Sequence, residues 1–288
     1  MNKLGVISDE ICDDFEKACF ISKMYNLQYI ELRTINKINL LELNINDYLI
    51  VKKTINKYKL KISGIASPVF KSSRKGNDLT DYEDYKLKGY KSFKEQISLY
   101  QKAVDISNYF NTNTIRIFTF LDENNYIEII DDIADKIIEI SKYSKNTKIA
   151  IENESSCNVK NALQANYLLS LIKIKTNNNI KNIGLIWDPG NAYHSTNEKP
   201  YPEANDLLNP KDIIHVHLKD VKKINKMINF VPIGSGDIDY VKHIKQLKKY
   251  GYNGIYILEP HYLEKGINKE DSTKTCIDSA KNLFEKIR

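Results

Sequence analysis

The strongest constraint on the fold of this chain is a regular alternation of short β-branched runs with longer amphipathic segments. Several runs are almost continuously apolar, which is typical of strands in a parallel sheet that is covered on both faces. The longer segments repeat apolar residues at helical spacing, most clearly at 15–26, 93–110 and 130–144. The eight predicted strands are residues 4–8, 28–32, 60–67, 114–120, 148–153, 183–188, 213–218 and 254–259.

Eight strand–helix repeats predict one α/β domain over residues 1–288, folded as a (β/α)8 TIM barrel. Parallel strands need crossover helices between them, and a closed barrel of this type commonly takes about 250 residues. The sequence has no glycine-rich dinucleotide fingerprint, which argues against an open doubly wound sheet. The segment 67–92 is long and polar, and we predict that it acts as a lid or a binding loop.

Charge and hydropathy limit the partners of the chain. The net charge is +6, but the lysines are scattered over separate segments such as 52–59 and 245–249. A nucleic-acid-binding surface would concentrate them on one face, so we predict solvated helix surfaces and no nucleic-acid partner. The chain has neither a run of about 18 apolar residues nor an apolar signal region at its start, and we therefore expect no membrane segment.

The cysteines indicate a reducing environment. They form no CxxC pair and no framework of the kind found in small secreted proteins, which predicts free thiols and a cytoplasmic protein. The four are Cys12, Cys19, Cys157 and Cys276. The sequence leaves the oligomeric state open, and a homo-oligomer is one of the options.

Four successive predicted strands end in residues of metal-ligand type. These residues are Glu152, Asp188, His217 and Glu259. Taken singly, each has a structural alternative as a cap, a turn former, a core histidine or an ion-pair partner. Strand C-termini meet at one mouth of a closed parallel barrel, however, and such coincidences favour a shared functional site. Three carboxylates and one imidazole suit Mn²⁺, Mg²⁺ or Co²⁺ and also admit Zn²⁺.

Other polar side chains are predicted to reach the same mouth as substrate contacts. Lys219 follows the strand of His217, and we predict that it binds a substrate oxygen or a phosphate; the alternative is an ion pair with Asp220. His215 shares the inward face of His217 and is expected in a lower layer of the barrel. The segment 234–239 is either a plain loop or a source of backbone N–H groups for an anion. The remaining candidates are Glu10, Lys71, Arg116 and His261, and the alternative for Glu10 and Lys71 is a solvated loop charge. Arg116 and Glu31 lie inside strands and Arg33 lies just beyond one, so a buried structural layer of charge is the alternative for these three.

Several segments near the strand ends have a familiar pattern: IENE, WDPGN, HVHLKD, PIGSGDID and ILEP. Together they resemble the xylose isomerase-like TIM-barrel superfamily of sugar phosphate isomerases and epimerases. The N-terminal GVISDEICDDFEKA, with YIELR, GIASPVFK and IRIF after it, is similar to the same group, so the resemblance covers nearly the whole chain.

This resemblance implies that the four candidate ligands hold one divalent metal, often Mn²⁺. In ketose 3-epimerases of the superfamily, the glutamates that match Glu152 and Glu259 remove and return a proton on opposite faces of the substrate. The metal polarises the carbonyl by Lewis-acid catalysis. The chain departs from these epimerases at two positions: Asn191 replaces a histidine and is expected to bind a substrate hydroxyl, and Lys223 replaces an arginine.

The resulting prediction is a metal-dependent isomerase or epimerase of a small sugar, polyol or sugar phosphate. A lyase on the same scaffold, such as an inosose-type dehydratase or a C-glycoside-cleaving enzyme, starts with the same proton abstraction and remains an alternative. A non-catalytic binding protein is a second alternative, although four intact ligands argue against it. An apurinic-site endonuclease needs several early histidines, and here none precedes His194.

Overall fold

The structure of the protein is a computed structural model that describes residues 3–76, 92–179, 181–225 and 227–287. Eight parallel strands form a closed barrel, in which each strand pairs with its neighbours in chain order and the last pairs with the first. The strands are β1 (Leu4–Ile7), β2 (Tyr29–Leu32), β3 (Lys61–Ile65), β4 (Thr114–Ile117), β5 (Lys148–Glu152), β6 (Ile183–Trp187), β7 (Ile213–Leu218) and β8 (Ile255–Leu258). The predicted (β/α)8 barrel and its eight strands are thus confirmed.

Helices connect successive strands and surround the barrel. The longer ones in the described residues are α1 (Phe15–Met24), α2 (Ile45–Tyr58), α3 (Phe93–Tyr109), α4 (Tyr126–Ser141), α5 (Ala162–Lys175), α6 (Pro189–Thr196), α7 (Tyr240–Lys249) and α8 (Lys269–Glu285). Short helical turns lie at Ser8–Ile11, Leu40–Glu42, Pro200–Ala204, Asn205–Leu207 and Pro210–Asp212. In α4 the predicted periodicity is confirmed, because Ile130, Ile133, Ile137 and Ile140 are all buried.

The third and fourth strands are shorter than the apolar runs that predicted them. They end at Ile65 and Ile117. Beyond them, the Ser67 hydroxyl donates a hydrogen bond to the carbonyl of Arg116, and Phe120 adopts a φ of +58°. A side chain that binds a neighbouring backbone group and a left-handed residue both take the chain out of the sheet. The apolar ends of these runs are therefore buried in loops at the mouth of the barrel.

The start of α6 fixes one side of the mouth. Asp188 follows β6 and accepts a 2.8 Å hydrogen bond from the backbone N–H of Asn191 through Oδ1, so it acts as the N-cap of the helix. Pro189 occupies the first helical position, where its missing N–H costs nothing. This local sequence leaves the second carboxylate oxygen of Asp188, Oδ2, available to face the barrel axis.

Two small hairpins complete the described structure. One pairs Thr34–Ile35 with Ile38–Asn39, and the other pairs Asp220–Ile224 with Met227–Val231 directly after β7. The predicted lid at 67–92 is described only in part, because residues 77–91 lie outside the described residues. The cysteines are free thiols, and no helix in the described ranges is both long and apolar enough to cross a membrane.

Candidate metal and substrate site

The four candidate ligands converge at the C-terminal end of the barrel. Glu152 is the last residue of β5, His217 lies in β7, and Asp188 and Glu259 directly follow β6 and β8. One ligand atom from each lies within 4.8 Å of the other three, and all four residues are buried. The structure therefore brings together four side chains that the sequence places at separate strand ends.

His217 presents its two ring nitrogens to different carboxylates. Nδ1 lies 2.9 Å from Oε1 of Glu152 and 3.3 Å from Oε2 of Glu259. Nε2 lies 3.4 Å from Oε1 of Glu31. Glu31 also lies 3.0 Å from Nε2 of His215, whose ring stacks on that of His217 with 5.4 Å between centroids. Glu31 thus orients the His217 ring so that Nδ1 faces the cluster, and His215 lies in the lower layer, as predicted.

The buried acids and imidazoles of this cluster shift one another's pKa. Burial disfavours charge on His217, but Glu152 and Glu31 raise its pKa well above the ordinary value. Burial acts against ionisation of Glu31, yet the two histidines hold its pKa below the ordinary value. At Asp188 burial dominates and raises the pKa to about 6. A cation among these carboxylates would offset the unfavourable burial of negative charge.

The donor set fits a divalent ion. Oε2 of Glu152 lies 3.0 Å from Arg116, and Oδ2 of Asp188 lies 3.0 Å from Lys219. Both contacts are ion pairs, and neither oxygen accepts a hydrogen bond of good geometry from the described residues. Three carboxylates and an imidazole that converge in this way match the ligand preferences of Mn²⁺, Mg²⁺, Co²⁺ and Zn²⁺. Glu152, Asp188, His217 and Glu259 could therefore hold one such ion.

Each of the two glutamates in the cluster has its own guanidinium. Nη1 of Arg116 lies 3.0 Å from Oε2 of Glu152, and Nη1 of Arg33 lies 2.7 Å from Oε1 of Glu259. Arg33 also binds Glu10 at 2.6 Å through Nη2, so Glu10 reaches the site through this arginine. These pairs fix the direction of both carboxylates. Sequence reasoning placed Arg33 only just beyond β2 and did not find this role.

Lys219 reaches the cluster from the end of β7. Its Nζ lies 3.0 Å from Oδ2 of Asp188, 3.1 Å from Oε2 of Glu259 and 3.1 Å from Oδ1 of Asn191. Burial opposes its charge, but Asp188 and Glu259 raise its pKa well above the ordinary value. Lys219 is therefore a buried ammonium in direct contact with two candidate metal ligands.

The alternative partner of Lys219, Asp220, is occupied elsewhere. Its Oδ2 accepts hydrogen bonds from the backbone N–H groups of Gly234 at 2.7 Å and Gly236 at 3.0 Å. The segment 234–239 thus donates to a carboxylate of this chain, which anchors the loop to the base of the 220–231 hairpin. Lys223 is exposed on that hairpin and bonds to Asn197, outside the buried cluster.

Asn191 and Lys71 meet at a residue that sequence reasoning missed. Glu154 receives a 3.3 Å hydrogen bond from Nδ2 of Asn191 and lies 3.4 Å from Nζ of Lys71. Burial acts to raise the pKa of Glu154, but the positive charges of Lys71 and Lys219 outweigh this effect and lower the pKa to about 2. Glu154 is the second acid of the IENE segment, and alternation along an extended chain places it on the same side as Glu152. The two-residue spacing of these acids is the sequence feature that could have indicated Glu154.

An aromatic edge closes the outer side of the mouth. His261 is exposed, and its Nε2 lies 3.6 Å from Oε1 of Glu259. Its ring centroid lies 5.3 Å from that of Phe230, which in turn lies 6.0 Å from that of His194. Phe230 belongs to the hairpin after β7, and its place over the mouth depends on that hairpin, so no sequence pattern indicated it.

Gly190 permits the close approach of α6 and β7, and this leads to a prediction. A Cβ at position 190 would overlap the carbonyl oxygen of Lys219 and would lie 2.8 Å from the Lys219 Cβ. We expect Gly190→Ala to lower the free energy of unfolding by about 3 kcal/mol and to weaken metal binding, because it displaces both Lys219 and the Asp188 cap. Denaturant unfolding and a Mn²⁺ titration measure the two effects.

Gly266→Ala is the matched control for this substitution. Gly266 has a φ of +81° and no atom near its Cβ position, so alanine there should cost only about 1 kcal/mol and leave metal binding unchanged. Equal stabilities of the two variants would show that the backbone at Lys219 can move away at little cost.

The comparisons with known proteins agree with this architecture. A family model described as the xylose isomerase-like TIM barrel matches residues 23–283. The crystal structure of the IolI protein with a zinc atom superposes with a TM-score of 0.76 and 17% identity over 99% of both chains. The 3-keto-D-glucoside 4-epimerase of E. coli superposes with a TM-score of 0.69 and 14% identity, over 99% of this chain and 100% of that chain.

One curated relative matches at the level of sequence. The uncharacterized protein MJ1311 of Methanocaldococcus jannaschii is 26% identical over 156 residues, which are 54% of this chain and 52% of that protein. This chain therefore spans about half the length of the curated relative it matches.

The fold and the cluster at its mouth define a (β/α)8 barrel whose strand ends carry a candidate divalent-metal centre. The chain belongs to the xylose isomerase-like TIM-barrel family.

Proposed function

We propose that this protein is a divalent-metal-dependent isomerase or epimerase of a small sugar or sugar-like polyol. The observation that carries the proposal is the convergence of Glu152, Asp188, His217 and Glu259 within 4.8 Å at the mouth of the barrel. Three carboxylates and an imidazole bind a hard or borderline divalent ion, and we favour Mn²⁺. The family to which the chain belongs consists mostly of enzymes, which supports a catalytic role.

The metal would supply Lewis-acid polarisation of a substrate carbonyl. The proton work falls to the two glutamates. Glu152 ends β5 and Glu259 directly follows β8, three strands further round the ring, so we expect the two carboxylates to approach a bound substrate from different sides. One carboxylate takes the proton from the carbon next to the carbonyl, and the other returns a proton to that carbon or its neighbour. Bases on two sides of one carbon are what an inversion of configuration requires.

The cations of the mouth position the substrate and the carboxylates. Arg33 and Arg116 fix Glu259 and Glu152 by ion pairs of 2.7 and 3.0 Å. The polar groups of Lys219, Asn191, Lys71, Glu10 and His261 then surround the cluster and offer hydrogen bonds to substrate hydroxyls. Phe230 offers an apolar surface to the carbon skeleton at the outer edge.

The experiment is an isotope-exchange assay in deuterated water. The purified protein is stripped with a chelator, reloaded with Mn²⁺ and incubated with a panel of ketoses, aldoses and keto-inositols, and the products are analysed by NMR. We expect deuterium at the carbon next to the carbonyl together with a new stereoisomer or carbonyl isomer. Exchange must disappear in the metal-free protein.

The same assay separates the alternatives. An unsaturated or dehydrated product in place of an isomer would favour a lyase, because elimination begins with the same proton transfer and then loses a leaving group. Binding of Mn²⁺ and of a sugar without exchange or elimination would favour a non-catalytic binding protein.

A further inference from the structure

Lys219 contacts the oxygen atoms that a divalent ion at this site would need. Its ammonium lies 3.0 Å from Oδ2 of Asp188, the oxygen that the helix cap leaves available, and 3.1 Å from Oε2 of Glu259, the oxygen that faces His217. Lys219 is 1% exposed, so water gives its charge little screening. Each of the three carboxylates of the cluster thus has a cationic partner: Arg116 pairs with Glu152, Arg33 with Glu259, and Lys219 with both Asp188 and Glu259.

We propose that Lys219 is a built-in competitor of the divalent ion, which neutralises Asp188 and Glu259 when no metal is bound and releases them when a metal binds. The inference rests on the metal site proposed above. It assigns to Lys219 a role in setting metal affinity and in keeping the metal-free protein folded.

The competition follows from the charges of the two cations. A divalent ion bound to Asp188 and Glu259 would place two positive centres within about 4 Å of each other in a buried site, where like charges repel strongly. The metal can bind only if the ammonium moves away or if the binding free energy overcomes that repulsion. Either outcome lowers the affinity below the value that the four ligands alone would give.

The structure also provides a place for the displaced ammonium. Oδ1 of Asn191 already lies 3.1 Å from Nζ of Lys219, and Nδ2 of the same amide donates a 3.3 Å hydrogen bond to the carboxylate of Glu154. A lysine side chain turns about several single bonds, so a small rotation transfers it towards this pair. The Lys219 backbone stays in place, because the Tyr240 hydroxyl donates a 2.7 Å hydrogen bond to its carbonyl.

The arginines of the site are each held by several partners, Arg116 by the carbonyls of Ser67 and Ala66 as well as by Glu152. Arg33 is tied to Glu10 and Asp9 as well as to Glu259, with four further nitrogen–oxygen distances between 2.6 and 3.1 Å. Its planar guanidinium is therefore held from several sides and remains a fixed partner of the Glu259 oxygen that faces away from His217. We therefore assign the movement to Lys219, whose flexible side chain has no such planar group to hold it.

The test measures metal affinity and metal-free stability. In Lys219→Met the side chain keeps its length and loses its charge. We expect its dissociation constant for Mn²⁺, by calorimetric titration, to be at least tenfold lower than that of the wild type, and its Tm in excess chelator to fall by several degrees. Lys219→Arg keeps the charge and should bind Mn²⁺ within about threefold of the wild type.

Lys71→Met is the matched control, because Lys71 is another lysine of the mouth with a side chain only 7% exposed, and its ion pair is with Glu154, which is not a candidate ligand. Its Mn²⁺ affinity should change less than threefold. If Lys219→Met is soluble only with metal, chelator competition from the loaded state gives the same ratio, and Lys219→Gln serves as a second variant.

The outcomes separate the two proposals. Mn²⁺ binding by the wild type with equal or weaker binding by Lys219→Met overturns the role of Lys219 and leaves the metal site intact. Failure of both proteins to bind Mn²⁺, Mg²⁺, Co²⁺ or Zn²⁺ overturns the metal site itself and the competitor role with it. If Lys219→Met binds a divalent ion and the wild type does not, the competitor role is supported, and Lys219 then excludes the metal completely.

Discussion

Replacing Glu259 by glutamine is expected to lower kcat by about a thousandfold or more while the barrel stays folded. The amide replaces a charged metal ligand by a weaker neutral one, and it removes the group that takes or returns the proton in the proposed reaction. Folding should survive, because Arg33 keeps Glu10 and Asp9, and Lys219 keeps Asp188. Steady-state kinetics on the substrate found by isotope exchange, with circular dichroism and thermal unfolding, measures both parts.

Glu10→Gln is the matched control for this variant. Glu10 and Glu259 have the same side-chain exposure of 5% and share the partner Arg33, but Glu10 does not contact His217. If loss of the arginine pairing alone explained the effect, both variants would lose activity equally. We expect the loss in Glu10→Gln to be at least tenfold smaller. If Glu259→Gln has a kcat of the same order of magnitude as the wild type, Glu259 has no part in the mechanism.

Removing divalent metal from the wild-type protein is expected to abolish turnover and to lower its Tm, both reversibly. Binding at a hundred times Kd stabilises a folded protein by about 2.7 kcal/mol, so Mn²⁺ should raise the Tm by several degrees. The metal-free chain should still unfold cooperatively, because Arg116, Arg33 and Lys219 cover the three carboxylates.

The variant Glu259→Gln provides the control for metal removal, since its Tm should respond much less to Mn²⁺ than that of the wild type. Full activity in excess chelator, with metal content below one ion per ten chains, would contradict a metal-dependent reaction.

The barrel could be predicted from the sequence because its signal is local. Several strands are almost continuously apolar runs, and the helices α1, α3 and α4 repeat apolar residues at helical spacing. The candidate ligands could be predicted for a related reason: Glu152, Asp188, His217 and Glu259 each end or follow such a run, and a closed parallel barrel brings strand ends together. Neither conclusion needed the position of a single side chain.

The partners of these ligands could not be predicted, because they depend on contacts between distant parts of the chain. Arg33 and Glu259 are separated by 226 residues. The choice of Lys219 between Asp188 and Asp220 was decided by Gly234 and Gly236, whose N–H groups already bind Asp220. Phe230 reaches the mouth only because a hairpin follows β7. Such choices are set by packing, for which one sequence carries no periodic signal.

The pairing of β8 with β1 also has a consequence for how the protein is made. During translation, the segments that carry Glu152, Asp188 and His217 leave the ribosome before the one that carries Glu259. Arg33 emerges before these segments, and it gains its Glu259 partner only when β8 docks beside β1. Before β8 docks, a nascent chain would therefore offer a divalent ion only three of the four candidate ligands. We expect its full metal affinity to arise only when the barrel closes.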